Sequence, residues 1–218
     1  MPALVVTVAL REGLAVGDPL AQALAFLEAY GAPREDALPS SFAEADLRAA
    51  NRGGARISAV EIAAILERQP EIEAALRAIA PAASLTRRSV PWAELTRLFD
   101  AFAGISGIGF SKMTKALHPK RRALIPMLDS VVQSYLDTDD PKAPFAERAT
   151  ALVRSYKDDL DRNLAALREV QRELVGRGLS PLTEVRILDV LVWSALAPVE
   201  QRQQQQEDVQ HIQEDRGG

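Results

Sequence analysis

The stretch that decides the fold is a glycine turn between apolar anchors, and it reads Ile105-Ser106-Gly107-Ile108-Gly109-Phe110-Ser111-Lys112-Met113. Two glycines around an apolar residue favour a tight turn, because glycine adopts the positive φ that such turns need. Where a helix follows, its first backbone N–H groups have no partner within the helix and carry a partial positive charge. The stretch therefore predicts a helix, a turn and a second helix, arranged so that they can bind phosphate.

The residues after this turn are basic, although the formal net charge of the chain is −4. Residues 101–128 contain no Asp or Glu but hold five basic side chains, which are Lys112, Lys115, Lys120, Arg121 and Arg122. Such a local concentration attracts phosphate groups. We therefore predict a DNA phosphate site formed by these five residues with Gly107, Gly109 and Ser111. The alternative is that the glycines only shape the turn and that the cations are solvated on helix and loop surfaces.

Helical periodicity extends through most of the chain and predicts an all-α fold. Apolar residues recur three and four positions apart, and glycine, proline and capping residues divide the pattern. Expected helices run over 19–30, 91–103, 111–117 and 145–175, and others start near Ser40 or Ser41, Ser58, Pro70, Asp129 and Ser180. Residues 5–8 have strand-forming side chains but no convincing partner strand. We predict one helical domain over 18–197 and a disordered, glutamine-rich tail over 198–218.

Composition excludes several classes of site. The absence of cysteine excludes disulfides, thiolate metal centres and cysteine nucleophiles, and two histidines are too few for a histidine-rich metal site, so no metal or cofactor is predicted. We expect His118 in a loop and Trp92 and Trp193 in the core. The first ten residues lack a basic segment before their apolar run, and no run is long enough to cross a bilayer. A cytoplasmic protein without a membrane partner is expected.

Residues 105–113 and 125–132 together resemble the helix-hairpin-helix DNA glycosylase superfamily. In that family an apolar residue, any residue, Gly, apolar and Gly lead into a helix, and a later Pro-apolar-apolar-Asp run places the catalytic Asp at a helix start. Here the run is Pro126-Met127-Leu128-Asp129, 20 positions after Gly109. The resemblance covers about 99–136 and implies a helix-hairpin-helix core that binds DNA. It also implies that Asp129 is the catalytic residue of an N-glycosylase.

Two residues decide what kind of glycosylase the resemblance implies. In lysine-using relatives the Schiff-base lysine lies two positions after the second glycine, where this chain has Ser111. Lys112 is one position further and points about 100° away on a helix. The resemblance therefore implies a monofunctional enzyme, in which Asp129 stabilises positive charge on deoxyribose and orients a water molecule. The alternative for Asp129 is a helix cap that accepts backbone N–H bonds.

The predicted function is a DNA-binding helix-hairpin-helix protein, with base release by Asp129 as the sharper hypothesis. The alternative is a non-catalytic helical module for protein contacts or regulation. The apolar stripe of 145–175 either packs on the domain or forms the seam of a homodimer. Residues 42–66, 125–132 and 188–193 also resemble a group of uncharacterised bacterial proteins, and that resemblance implies no function.

Overall fold

The computed structural model describes residues 6–31, 38–138 and 140–197, and this part of the chain is mostly α-helical, which confirms the predicted class. Two short strands, β1 Val8–Ala9 and β2 Ala15–Val16, pair antiparallel near the start. The described residues then form nine α-helices: α1 Pro19–Tyr30, α2 Glu44–Arg52, α3 Ala59–Glu67, α4 Gln69–Ala78, α5 Trp92–Asp100, α6 Phe110–Leu117, α7 Ser130–Leu136, α8 Phe145–Gly176 and α9 Glu184–Leu196. The predicted tail over 198–218 lies outside the described residues.

Local capping signals placed several helices correctly. Helix α1 begins at the expected Pro19, where Asp18 accepts a hydrogen bond from the Ala21 N–H, and α3 begins after the expected Ser58, which forms a capping box with Glu61. Asp129 accepts a hydrogen bond from the Val132 N–H at 3.0 Å and starts α7. These three helices begin where a side-chain oxygen satisfies backbone N–H groups that the helix leaves unpaired.

Two helix starts and the expectation of an unpaired strand were wrong. The cap of α2 is not Ser40 or Ser41, because the helix begins at Glu44 after Ala43, whose N–H donates to the Asp46 carboxylate at 2.7 Å. Helix α9 begins at Glu184 rather than after Ser180, since the Thr183 hydroxyl caps it. Strand β1 has a partner, because the chain folds back on itself through Glu12 and Gly13, which both have positive φ.

Helix α8 is the central element of the core. It packs against α5 and α9 and also contacts α1 and β1. Val153, Tyr156, Leu160 and Leu167 on its apolar stripe have no exposed surface. The stripe is therefore buried within the chain itself, which removes the apolar face on which the homodimer hypothesis rested.

The hairpin formed by β1 and β2 is fixed to α8 by polar side chains. Arg11 donates to the Asp159 carboxylate at 2.6 Å and to the Leu136 carbonyl oxygen at 2.6 Å, and Asp159 is fully buried. Asn163 exchanges hydrogen bonds with the backbone of Ala9. Because α1 follows this hairpin directly, the hairpin sets where α1 lies against α9. The space between these two helices is the candidate site described next.

Candidate functional site

The glycine turn has the predicted secondary structure. Helix α5 ends at Asp100, turns follow, and α6 begins at Phe110. Gly107 has a φ of 79° and is exposed. Gly109, the N-cap residue of α6, is also exposed. Ile108 between them is buried, so the turn is anchored to the core and presents its glycines to solvent.

A carboxylate from another helix lies on this turn. Glu61 of α3 packs so closely against Gly107 that a Cβ atom at position 107 would collide with its Oε1. The same oxygen accepts a hydrogen bond from Lys112 Nζ at 2.6 Å, while Oε2 accepts from the Ser58 N–H. The Lys112 ammonium and the Ser58 N–H hold the pKa of Glu61 below its usual value. The position predicted for a phosphate therefore holds a negative charge of the protein.

Lys120 and Arg121 are not surface residues, which corrects the predicted phosphate cluster. The Lys120 ammonium lies 2.9 Å from an Asp46 carboxylate oxygen, and its side chain is 3% exposed. Arg121 is 1% exposed, and its guanidinium donates at 2.5 to 2.7 Å to four carbonyl oxygens, those of Pro39, Leu76, Ile79 and Lys120. Both cations hold the fold together and cannot reach a nucleic acid from these positions.

The other residues near this segment are half-buried or buried. Ser111 lies in the first turn of α6 and is half-buried, and Arg122 is half-buried with its carbonyl oxygen bound by the Thr183 hydroxyl. His118 is buried in a short 3₁₀ turn rather than in a loop, with Nδ1 2.7 Å from the Ile125 carbonyl oxygen. Burial lowers the pKa of His118 to about 3, so this ring is neutral near neutral pH.

Asp129 and Lys115 meet in a cleft between α1, α6 and α9. The cleft has a volume of about 190 Å³. Its aromatic and charged lining comes from α1, α6, the start of α7 and α9: Phe26, Tyr30, Lys115, Asp129, Arg186, Asp189 and Trp193. Trp193 was expected in the core, but it is half-buried and forms part of this wall. We call this space the α1–α9 cleft.

One oxygen of Asp129 is committed to the fold and the other is not. Oδ1 caps α7, whereas Oδ2 accepts no hydrogen bond from the described residues. Lys115 and Asp129 carry opposite charges in the cleft. Burial lowers the pKa of the Lys115 ammonium, and the Asp129 carboxylate acts in the other direction. Lys115 Nζ also donates to the Gly54 carbonyl oxygen at 3.2 Å. The capping and the catalytic interpretations of Asp129 are therefore compatible, because each uses a different oxygen.

Arg186 is the second cation of the α1–α9 cleft, and its neighbours there are Phe26, Met127 and Asp189. Its guanidinium carbon lies 4.7 Å from the centre of the Phe26 ring, and Nη1 lies 3.1 Å from Met127 Sδ. Nη1 is 3.8 Å from Asp189 Oδ2, which is too far for a hydrogen bond. Arg186 therefore provides positive charge to the cleft without neutralising Asp189 in a tight pair.

Asp189 is a buried carboxyl group in the wall of the cleft. Its residue is 3% exposed, and Oδ2 accepts from the Met127 N–H at 3.2 Å. Oδ1 has no hydrogen-bond partner in the described part of the chain. The neighbouring Tyr156 hydroxyl donates its proton to the Val185 carbonyl oxygen at 2.6 Å. Burial raises the pKa of Asp189 to about 7, against the opposing effect of Arg186.

Tyr30 contributes a second unsatisfied polar atom to the same cleft. Its hydroxyl oxygen is buried and has no partner among the described residues, although the ring lies only 4.9 Å from that of Phe26. Burial raises the pKa of the Tyr30 hydroxyl, so the group carries its proton at neutral pH. Buried polar atoms without a partner are uncommon in proteins, and two residues that line this cleft, Tyr30 and Asp189, each have one.

Most of the cleft could not be predicted from the sequence. Phe26, Tyr30, Arg186 and Asp189 were not singled out, because they lie far in sequence from the glycine turn and each fits an ordinary helical pattern. Arg56 was also missed; it is exposed near Lys115, with a positive φ of 56°. Only that unusual backbone conformation marks Arg56, and sequence does not reveal it.

Searches against known proteins place the chain in a family without assigning its chemistry. The chain belongs to a family of unknown function, DUF6308, whose profile matches residues 16–196. No curated protein and no solved structure matches it. No helix of the described residues is long and apolar enough to cross a membrane. The same residues contain no group of three or more His, Cys, Asp or Glu side chains arranged to hold a metal ion.

Proposed function

We propose that this chain binds DNA at the α1–α9 cleft and hydrolyses the N-glycosidic bond of a nucleotide flipped into it. The observation that carries this proposal is that Asp129 lines a concave cleft with two cations, Lys115 and Arg186, and with aromatic side chains. A flipped base needs an enclosed pocket with π surfaces, and the adjoining phosphates need positive charge. Resemblance to helix-hairpin-helix glycosylases supports the same role for Asp129.

The size of the cleft limits what it can hold. A cavity of about 150 Å³ accommodates one benzene ring, and the α1–α9 cleft measures about 190 Å³. One base fits such a space, whereas drug-sized ligands occupy sites of about 300 Å³ or more. Phosphate contacts then fall to Lys115 and Arg186 at the cleft and to the exposed Arg56 nearby, rather than to Lys112 beside Glu61.

Asp129 supplies the chemistry in this proposal. As the bond to the base weakens, positive charge grows on the sugar, and a fixed carboxylate close to it stabilises the transition state. The unbonded Oδ2 is available for that role and for orienting the attacking water. Because Ser111 stands where lysine-using relatives have their Schiff-base lysine, the proposed product is an abasic site with an intact sugar–phosphate backbone.

The deciding experiment compares two aspartates that cap helices. Asp129→Asn keeps the size of the cap, and Asp18→Asn makes the same change at the start of α1, outside the cleft. Duplexes carrying a panel of damaged and mismatched bases are incubated with each protein, and base release is measured. We expect Asp129→Asn to lose release by a factor on the order of a hundred or more, with Asp18→Asn unchanged. No release by the unmodified protein from any substrate would reject the enzymatic role.

One observation favours the second candidate, a non-catalytic module for protein contacts or regulation. Glu61 covers Gly107 and pairs with Lys112, so the turn itself repels phosphate. The two candidates separate in a salt titration of DNA affinity. We expect Lys115→Gln to weaken DNA binding and to reduce the salt slope by about one, as loss of a phosphate contact does. Lys142→Gln, at an exposed site away from the cleft, is the matched control. No measurable DNA affinity would leave the module as the better proposal.

A further inference from the structure

The α1–α9 cleft contains a pair of buried polar atoms that the catalytic role of Asp129 does not use. Asp189 and Tyr30 both line the cleft, and Asp189 Oδ1 and the Tyr30 hydroxyl are buried without a hydrogen-bond partner among the described residues. Leaving a buried polar group unpaired is costly, and the cost is recovered when a ligand supplies the missing partner. These two atoms therefore mark where a ligand with matching polar groups gains the most.

The chemistry of the two groups defines the matching ligand. An ionised carboxylate only accepts hydrogen bonds, so Asp189 requires an N–H or O–H donor. The Tyr30 hydroxyl keeps its proton and can donate it to an acceptor. A ligand edge that carries a donor beside an acceptor therefore satisfies both groups.

The walls of the cleft require this edge to belong to a flat ring. Phe26, stacked on Tyr30, and Trp193 provide aromatic faces, and the volume admits one ring system. The positive guanidinium of Arg186 stands over Phe26 and within electrostatic range of Tyr30 and Asp189. Adenine and cytosine carry an amino donor beside a ring-nitrogen acceptor, as guanine does at N2 and N3, whereas thymine presents a carbonyl acceptor where cytosine has the amino group.

We propose that Asp189 and Tyr30 form a recognition pair that selects a base with an exocyclic amino group beside a ring-nitrogen acceptor over uracil or thymine. Asp189 accepts from the amino group, and Tyr30 donates to the neighbouring ring nitrogen. A carbonyl in place of the amino group faces the carboxylate oxygen and leaves it unpaired. This inference rests on the proposed function only in taking a base as the ligand, and it does not require Asp129 to cleave a bond.

The experiment measures binding of the free bases, so that it is independent of glycosylase activity. Adenine, cytosine, uracil and thymine are titrated into the full chain above neutral pH, where Asp189 is ionised, and affinity is followed by calorimetry and tryptophan fluorescence. We expect the amino bases to bind at least about tenfold more tightly than uracil and thymine, because the wrong base leaves a buried carboxylate unpaired. Equal affinity for all four bases, or binding of none, would overturn the inference.

Two variants test the pair itself, each with a matched control. Asp189→Asn exchanges an acceptor for a group that also donates, so we expect the preference for amino bases to be lost or reversed. Tyr30→Phe should lower the affinity for adenine by about tenfold, the effect of one lost hydrogen bond. Asp161→Asn and Tyr135→Phe make the same chemical changes outside the cleft and should have no effect. Unchanged base affinities in both Asp189→Asn and Tyr30→Phe would also overturn the inference.

The outcomes of the two experiments are distinguishable. If the base preference is found and depends on Asp189 and Tyr30, the recognition pair stands even where no lesion duplex releases a base, and the enzymatic proposal alone fails. If bases are released in an Asp129-dependent manner but with no preference for amino bases, the recognition pair fails. Folding of Asp189→Asn is checked by circular dichroism, and Tyr30→Phe provides the decision should that variant not fold.

Discussion

The glycine turn and the α1–α9 cleft differ in how their polar groups are satisfied. At the turn, Lys112 has its partner within the chain, since Glu61 accepts its hydrogen bond at 2.6 Å. In the cleft, Asp189 Oδ1 and the Tyr30 hydroxyl have no partner among the described residues. The turn is the region that its sequence marks as a binding site, yet its charges are already neutralised.

This difference shows that an acid-free segment of sequence need not be acid-free in space. Residues 101–128 contain no carboxylate, but α2 and α3 bring Asp46 to Lys120 and Glu61 to Lys112. Electrostatic attraction depends on the distance between charges and not on their separation along the chain. A binding site is better recognised by groups that the fold leaves unpaired than by a local excess of one charge.

The largest expected effect comes from replacing Arg121, the buried arginine of the basic segment. Arg121→Met keeps the apolar stem but removes a donor from four carbonyl oxygens, of which that of Leu76 keeps the Ile79 N–H, at about 1 to 3 kcal/mol for each group left unsatisfied. We expect a loss of unfolding free energy above about 4 kcal/mol, or failure to fold. Lys112→Met at the turn, which breaks a partly exposed ion pair, should cost about 1 kcal/mol or less. Urea unfolding measures both, and similar losses in the two variants would contradict the contrast.

The second prediction concerns Asp189 in the cleft and the dependence of stability on pH. Burial raises the pKa of Asp189 from 3.8 to about 7, with Arg186, the Met127 N–H, Tyr156 and Asp129 as its neighbours. The folded protein therefore binds a proton more tightly than the unfolded chain does. The contribution of Asp189 to the free energy of unfolding is fully present below about pH 4 and is lost as the pH rises towards 7.

Asp189→Asn removes this pH dependence. The variant should gain stability relative to the unmodified protein as the pH rises from 4 to 7, by up to about 4 kcal/mol for a shift of this size. His118, whose pKa is lowered to about 3, has the opposite trend, because its contribution is lost as the pH falls below 6.5. That trend is common to both proteins and cancels in the difference. Chemical unfolding at several pH values provides the data, and a difference that does not vary with pH would refute the prediction.

The smallest expected effect concerns the turn itself. Gly107→Ala places a Cβ at a φ of 79° and against Glu61, so we expect a loss of about 1 to 2 kcal/mol. In a chain that also carries Glu61→Ala, only the backbone strain remains, and the loss should be smaller by at least about 0.5 kcal/mol. A double-mutant cycle measured by thermal unfolding tests this coupling. Strict additivity would show that Glu61 does not close over Gly107 in solution.

Sequence predicted the parts of this protein that local signals determine. The starts of α1 at Pro19, of α3 after Ser58 and of α7 near Asp129 were predicted, because each depends on groups within one helical turn. The long helix 145–175 followed from its periodicity. Asp129 was singled out because the resemblance to helix-hairpin-helix glycosylases covers the contiguous run of residues that contains it.

The rest of the site depends on contacts between distant helices. Tyr30 ends α1 and Asp189 lies in α9, and only the packing of these helices brings their side chains into one cleft. The burial of Lys120 and Arg121 could not be predicted from the sequence either, because a run of three basic residues is typical of a protein surface. No periodicity shows that carbonyl groups from α4 and from Pro39 converge on Arg121.

The contact between Glu61 and Gly107 has a consequence for how this family can diverge. A side chain at position 107 collides with Glu61, so the two positions are not free to vary independently. Since asparagine tolerates positive φ better than most residues, homologues with Asn at 107 should carry a smaller residue than glutamate at 61. Such homologues would also lack the partner of Lys112. In them the exposed turn would regain its positive charge, and an evolutionary route to phosphate binding at the turn would open through a single exchange in α3.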